Sequence, residues 1–295
     1  MKPSTLYRGD LWKLGMKIAG ILPPQFLRIV ARNSAAAYAT INQKRCDIVR
    51  QNLAPLFENE AALNRNAQLL FRNFGEKLVD LWNYENGAGP ETIRFDENSW
   101  GNFQSARTHG RGVLLLTPHL GNWELGGLIL KSRNTPLHVI TLPEPQDQFT
   151  AMRQRARERF GIKTIVIAEN PFAFIEVIRV LEQGGTVALL VDRPAPQSSV
   201  LVEFCKRPFP VSIAPAELAR ATGCALLPAY IVHENGAYTA RIMPELRCDR
   251  RHLGTRADRA KLSQEMISLF EQPIKQYANQ WYHFVPVWSE SPQHF

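Results

Sequence analysis

Cysteine is scarce in this chain of 295 residues, with four in all and no CxxC pair. Cys46, Cys205, Cys224 and Cys248 are too scattered for a zinc ribbon or a disulfide scaffold, so reduced thiols in a cytosolic setting are expected. Long apolar runs are missing too. A spanning helix needs about 18 uninterrupted apolar residues, and the best stretch, 14–41, is broken by Lys17, Pro23-Pro24, Arg28, Arg32 and Asn33. It also lacks the apolar core and small-residue cleavage site of a signal peptide. There is no Walker loop, no GxGxxG, no GxSxG elbow and no HExxH. Nucleotide binding, an elbow-type serine hydrolase and a zincin are therefore unsupported, and no metal is expected. Glycine (18) and proline (20) show no period, and hydrophobic residues at 45% indicate a packed core.

Acidic residues are few in one place. In residues 1–52 only Asp10 and Asp47 oppose nine Lys and Arg, including Lys2 and Arg8, so that stretch holds +7 of the chain's +8. Such a basic end favours an anionic partner. Two short amphipathic pieces lie within it. Leu11, Trp12, Leu14, Gly15, Ile18 and Ala19 recur at helical spacing beside Lys13 and Lys17. Phe26, Leu27, Ile29 and Val30 sit between Arg28 and Arg32. Two readings stand: helices lying in the headgroup layer of a phospholipid surface, or surface helices packing on the core. Nucleic acid is not expected as a partner, because no binding module accompanies the charge.

Residues 42–86 read as helical, and Asn86-Gly-Ala-Gly-Pro90 is a break. Beyond it, apolar runs of strand length fall at 113–117, 138–142, 164–168, 186–191, 200–204, 225–232 and 238–243. Helical stretches at 123–131, 149–160, 172–183 and 214–222 alternate with them, and a long helix is predicted at 256–277. Alternation of this kind predicts an α/β fold with a central, mostly parallel β-sheet flanked by helices. The expected organisation is a helical, membrane-apposed region at 1–90 and an α/β catalytic domain at 91–295.

The most informative window runs Gly112-Val-Leu-Leu-Leu-Thr-Pro-His119-Leu-Gly-Asn122-Trp-Glu124. A buried strand ends at Thr117-Pro118, His119 occupies the turn and a helix begins near Asn122. Active sites of open α/β sheets collect at such strand ends. Glu124, five residues on, is expected to turn back on His119 and fix its tautomer, leaving the second nitrogen to take a proton from a hydroxyl. Four arginines fall in seven residues, Arg153 to Arg159, on a predicted helix, where the alternatives are a phosphate contact and a solvated face. Asp192-Arg193 ends another apolar strand, so it is expected in the same crevice, either orienting substrate or as a loop ion pair. The other six histidines, His283 among them, lack a comparable acidic neighbour.

His119-Leu-Gly-Asn-Trp-Glu124 resembles the HX4(D/E) motif of the glycerophosphate and lysophospholipid acyltransferase superfamily, and its Glu resembles the bacterial lipid A late (lauroyl/myristoyl) acyltransferase family. Lys44-Arg45…Asn52-Leu53…Leu56-Phe57, Arg157-Glu-Arg159-Phe160-Gly161, Val191-Asp192-Arg193 and Trp281-Tyr-His-Phe284 are similar to further blocks of that family, in the same order. The resemblance implies a glycerophosphate-acyltransferase-like fold. It also implies transfer of an acyl chain from an acyl-carrier-protein or coenzyme A thioester to a glycolipid hydroxyl, most simply of a lipid A precursor. No cofactor beyond that thioester is implied. His119 and Glu124 would be catalytic, and Asn122, Arg157, Arg159, Asp192 and Arg193 would bind substrate. The implied location is the cytoplasmic face of a bacterial inner membrane, peripheral or shallowly inserted. A different lipid acceptor, or a thioester hydrolase on the same fold, is the alternative. Two features depart from the family: no membrane-spanning helix leads the chain, and Trp281-Tyr-His-Phe is followed by Val-Pro-Val where the family has arginines.

Overall fold

In the computed structural model, residues 9–89, 93–108, 110–143, 147–167 and 171–288 are described. Lys2, Arg8, Pro90, His109, Ala168 and His294, together with the boundary expected between 90 and 91, lie outside them.

Four helices come first: α1 (Gly9–Ala19), α2 (Pro24–Ile41), α3 (Gln43–Leu53) and α4 (Glu60–Glu85). Pro24 opens α2, where its missing N–H costs nothing. Asn59 caps α4 by accepting from the N–H groups of Ala61 and Ala62. The long α4 is the spine, packed on α1, α2 and α3. Its Gly75 permits close approach of α2, since a Cβ there would lie 2.6 Å from the Ala31 carbonyl oxygen.

The remainder alternates as expected: β1 (Ile93–Phe95), α5 (Glu97–Arg107), β2 (Val113–Thr117), α6 (Gly126–Ser132), β3 (Leu137–Thr141), α7 (Asp147–Arg159), β4 (Ile162–Val166), α8 (Pro171–Glu182) and β5 (Thr186–Leu190). Then follow β6 (Ser199–Phe204), β7 (Arg207–Ser212), α9 (Ala214–Thr222), β8 (Ala225–Glu234), β9 (Ala237–Ile242) and α10 (Arg256–Gln276). Among the described residues, seven strands form one sheet in the order β1-β9-β8-β2-β5-β3-β4. All neighbours are parallel except the β8–β9 hairpin. β2 lies in the middle, and Val113 to Leu116 are all buried, which is why that strand reads as an unbroken apolar run.

The strand expected at 200–204 forms as β6 but does not join this sheet. It pairs antiparallel with β7 as a separate two-stranded ribbon, with Leu201 opposite Pro210 and Glu203 opposite Pro208. Prolines are tolerated there because a two-stranded ribbon leaves one edge of each strand unpaired. The main core is continuous across helices and sheet, joining Val49, Leu53 and Phe71 to Leu114, Leu116 and Trp281.

The chain leaves β2 for β3, beyond β5 on one side, whereas it leaves β5 for β8, on the opposite side of β2. The connections diverge at the β2–β5 boundary, and such a switch point opens a crevice at the carboxyl ends of the two strands.

Candidate active site

Residues from β2 and β5 meet in that crevice because of register. Thr117 is paired with Leu190, so His119 and Asp192, each two residues further along, come side by side. His119 Nδ1 lies 2.7 Å from Asp192 Oδ1, and the His119 backbone N–H also donates to the carboxylate, at 3.0 and 2.9 Å. The closing segment folds onto the same group: Trp281 Nε1 donates to Asp192 Oδ2 at 2.9 Å, and His283 Nε2 lies 2.9 Å from that oxygen. Asp192 and His283 are each 2% exposed.

Burial alone would push the Asp192 carboxyl up, but the facing His119 and His283 rings, through their hydrogen bonds and through attraction whenever they are protonated, hold it well below the usual carboxylate range. An ionised carboxylate only accepts, so Nδ1 of His119 and Nε2 of His283 both carry hydrogen toward it. His119 then bears its free lone pair on Nε2. Burial lowers the His119 pKa, and Asp192 opposes that only in part. The resting state is a neutral imidazole oriented by an anion, with 14% of its side chain still open to solvent. This is the configuration of a general base. His283 turns Nε2 to Asp192, and its Nδ1 is buried with no partner among the described residues. Ligand atoms of His119, Asp192 and His283 fall within 4.8 Å of one another. Both carboxylate oxygens already serve four N–H groups, a donor set suited to proton transfer.

The turn after His119 is tied down at successive backbone groups. Tyr282 N–H donates to the His119 carbonyl at 2.9 Å, Gly121 N–H to Gln280 at 2.8 Å and Asn122 N–H to Ile231 at 2.9 Å. Lys77, buried on α4, donates to the Gly121 carbonyl at 2.7 Å and lies 3.1 Å above the Trp123 ring. That ring meets His119 edge-on at 5.0 Å. Burial drives the Lys77 pKa well below its ordinary value, Glu124 partly opposing. Gly121 has φ +63°, and a Cβ there would stand 1.8 Å from the Ile231 carbonyl oxygen. Gly121→Ala is therefore expected to cost about 2–4 kcal/mol from strain and overpacking, and to displace His119. Thermal unfolding and the activity of the remaining folded fraction would check this; an unchanged melting temperature would contradict it.

Glu124 does not serve His119. It sits in a 3-10 turn (Trp123–Leu125) and its carboxylate is taken by α7. Arg157 donates from Nε at 2.9 Å and from a terminal nitrogen at 2.6 Å, and Arg153 donates at 2.7 Å. Burial would raise the Glu124 pKa, but the two guanidinium groups hold it far below the carboxylate range. The expected pairing with His119 is thus corrected: Asp192 is the carboxylate at Nδ1, and Glu124 locks the turn to α7. The same cluster extends to Glu85, which accepts from Trp12 Nε1 and lies 3.5 Å from Arg153.

The other expected site residues divide. Arg157 is 9% exposed and is engaged by Glu124. Arg159 is exposed and donates to the Glu85 carbonyl at 2.5 Å. Arg193 is exposed next to Asp192. Asn122 is 1% exposed, and its Nδ2 lies 3.4 Å from the Tyr238 hydroxyl. His283, set aside in the sequence, belongs to the cluster. Its signal was position: Trp281 and His283 alternate within the closing block, and both reach one carboxylate.

A family model described as bacterial lipid A biosynthesis acyltransferase matches residues 9–290. A phosphatidylinositol mannoside acyltransferase of Mycobacterium tuberculosis (strain CDC 1551 / Oshkosh) is 26% identical over 185 residues, 62% of this chain and 57% of that protein. The protein of the same name from Mycolicibacterium smegmatis is likewise 26% identical over 185 residues, 62% of this chain and 59% of its own length. The chain thus matches less than two thirds of the length of these relatives.

Proposed function

The chain belongs to the bacterial lipid A biosynthesis acyltransferase family, and from that premise we propose that it moves a fatty acyl chain from a thioester to a hydroxyl of a glycolipid. The observation that carries this reading is the neutral, Asp192-oriented His119 at the β2–β5 switch point. His119 Nε2 takes the proton of the acceptor hydroxyl as its oxygen attacks the thioester carbonyl. The tetrahedral adduct then expels the thiolate, and the imidazolium returns the proton to that sulfur, so no acyl-enzyme is needed. The donor is an acyl-carrier-protein or coenzyme A thioester. The names of the relatives support a glycolipid acceptor, and a lipid A precursor is the finer form of the proposal.

The acceptor would be met at the cytoplasmic face of a bacterial inner membrane. Among the described residues no helix is long and apolar enough to cross a membrane. Both readings of the N-terminal helices contribute. Trp12, Gly15 and Ala19 bury one side of α1, whereas Leu11, Leu14, Ile21, Phe26 and Ile29 stand exposed. Trp12 is 3% exposed, against Trp82 and Phe149, so it is a core residue and Phe26 is the outward aromatic. Arg28 and Arg32 pair with Asp80 and Glu76, which leaves lysines such as Lys13 and Lys17 to face lipid phosphates.

The test is product analysis by mass spectrometry, with labelled acyl thioesters and a panel of glycolipids in mixed micelles. An acylated glycolipid supports the proposal, whereas free fatty acid alone replaces it with hydrolysis. The pH profile follows from His119. Because its pKa is lowered, the rate is expected to rise through a midpoint below the ordinary imidazole value of about 6.5 and to be level above it. Asp192 works to raise that pKa, so Asp192→Asn is expected to move the midpoint lower still. A rise centred above the ordinary value would contradict the assignment of the base.

A further inference from the structure

A second feature adjoins the catalytic turn. Between α2, α4, the β8–β9 hairpin and the segment after α10 lies a cavity of about 550 Å³, with Gly121 and Asn122 in its wall. That is within the size range of small-ligand sites. We propose that this cavity binds the polyhydroxylated head group of the lipid acceptor, a sugar or cyclitol ring; the inference rests on the acyl-transfer reading for the identity of that acceptor.

The chemistry of the walls points to hydroxyl groups. Ile29 and Leu69 are the purely aliphatic side chains among the lining residues. An alkyl chain here would take these polar side chains out of water with only part of their hydrogen-bonding capacity filled. A phosphate is disfavoured for another reason. Arg28 donates to Asp80 Oδ1 at 3.1 and 2.8 Å, and Arg32 to Glu76 Oε1 at 2.9 Å, so each arginine is matched by a carboxylate. Lys77 is already committed to the Gly121 carbonyl. What remains is a charge-balanced mixture of carboxylate, guanidinium, amide and phenol groups, which offers both acceptors and donors to hydroxyl groups. Tyr238 extends the set by donating to Asp80 Oδ2 at 2.5 Å.

One wall atom is left unsatisfied. Asn122 is 1% exposed and lines the cavity, yet its Oδ1 has no hydrogen-bond partner among the described residues. Buried acceptors without donors are rare in folded proteins; a ligand hydroxyl would supply the missing donor once this side chain turned its Oδ1, which is closed to water in this structure, toward the cavity. The position suits a head group tethered to a lipid. Ile29, on the rim, is 61% exposed and shares α2 with exposed Phe26. Asn122 stands three residues beyond the proposed base.

The test is ligand-observed NMR on the full chain with no thioester present. The probes are methyl glycopyranosides, myo-inositol, n-octyl glycosides below their micelle concentration, and inorganic phosphate. At least one methyl glycoside or myo-inositol is expected to bind in the ~1–10 mM range, with the octyl counterpart tighter and phosphate not competing. Glu76→Gln and Arg32→Gln, on a partly exposed pair, are each expected to weaken binding about tenfold. Glu97→Gln, on exposed α5, is expected to leave it unchanged, and thermal unfolding confirms that every variant is folded. No binding by any polyol, equal binding by all variants, or displacement by phosphate would overturn the proposal. Equal affinity for methyl and octyl glycosides would overturn its lipid-tethered part. Because no acyl donor is present, this result stands or falls separately from the product assay.

Discussion

His119→Ala is expected to lower the rate of acyl transfer by about 10²–10⁴, the range lost when a positioned general base is removed, with little change in stability. The His119 ring meets Trp123 edge-on and His283 at a tilt, and 14% of the side chain is open. Its removal leaves Asp192 with His283, Trp281 and a backbone N–H still donating to it. The buried anion is thus not stranded, and the melting temperature should move by a few degrees at most. Asp192→Asn is expected to act on the same step by a different route. Its amide can present an N–H to Nδ1, which would favour the tautomer whose Nε2 carries hydrogen and cannot accept a proton. Steady-state rates beside thermal unfolding would check both. A variant whose lost activity is matched by lost structure would contradict the assignment.

Glu124→Ala is expected to show the opposite balance. It removes one carboxylate from between two largely buried arginines, Arg153 and Arg157, whose side chains are 12% and 10% exposed. Arg153 keeps Glu85 at 3.5 Å, whereas Arg157 loses the carboxylate that engages it. Breaking a buried pair by deleting one partner costs about 3–5 kcal/mol. For a chain of this size that is on the order of 10 °C in melting temperature. Activity should fall as well, since the 3-10 turn holding Glu124 begins four residues after His119. Pairing with Arg157→Met should recover part of the stability, because the orphaned guanidinium is then gone. Acid is expected to mimic the lesion. The folded-state pKa values of Glu124 and Asp192 are depressed, so the unfolded chain binds protons first as pH falls. Their contribution is present above the ordinary carboxyl range, near 4, and is lost on descent toward the folded values. Melting temperature across pH 3–7 reads this directly; a Glu124→Ala protein as stable as wild type and with the same acid profile would contradict it.

These two residues also show how much was legible in the sequence. The β-α alternation and the strand end at Thr117 place His119 correctly, because both depend on local patterns that survive folding. The partner of His119 was not legible from spacing. Glu124 is five residues away in the chain, but the 3-10 turn delivers its carboxylate to α7. Asp192 is 73 residues away and becomes adjacent only because β5 inserts next to β2, ahead of β3 and β4. Strand order is a property of the assembled sheet and leaves no mark on any single strand. Asp192 could be suspected from its own strand end, whereas its bond to His119 could not. His283 was hidden for a related reason: its acid comes from another part of the chain. The arginine run resolves similarly. Arg153 and Arg157 share one helical face at a spacing of four and close on Glu124, while Arg155 points elsewhere and is exposed. In the N-terminal helices, apolar residues on two sides of α1 and α2 supplied both a core contact and an outward surface, so the two sequence readings were compatible.

The most direct test of the central claim is a double-mutant cycle on the acyl-transfer rate, pairing His119→Ala with Asp192→Asn and separately with Glu124→Gln. If Asp192 acts only through His119, the His119→Ala/Asp192→Asn protein will be no slower than His119→Ala alone. The Glu124→Gln loss, by contrast, will persist alongside that of His119→Ala and follow the change in stability. Losses that multiply for His119 and Asp192, with Glu124 silent once His119 is gone, would restore Glu124 as the partner and contradict the account.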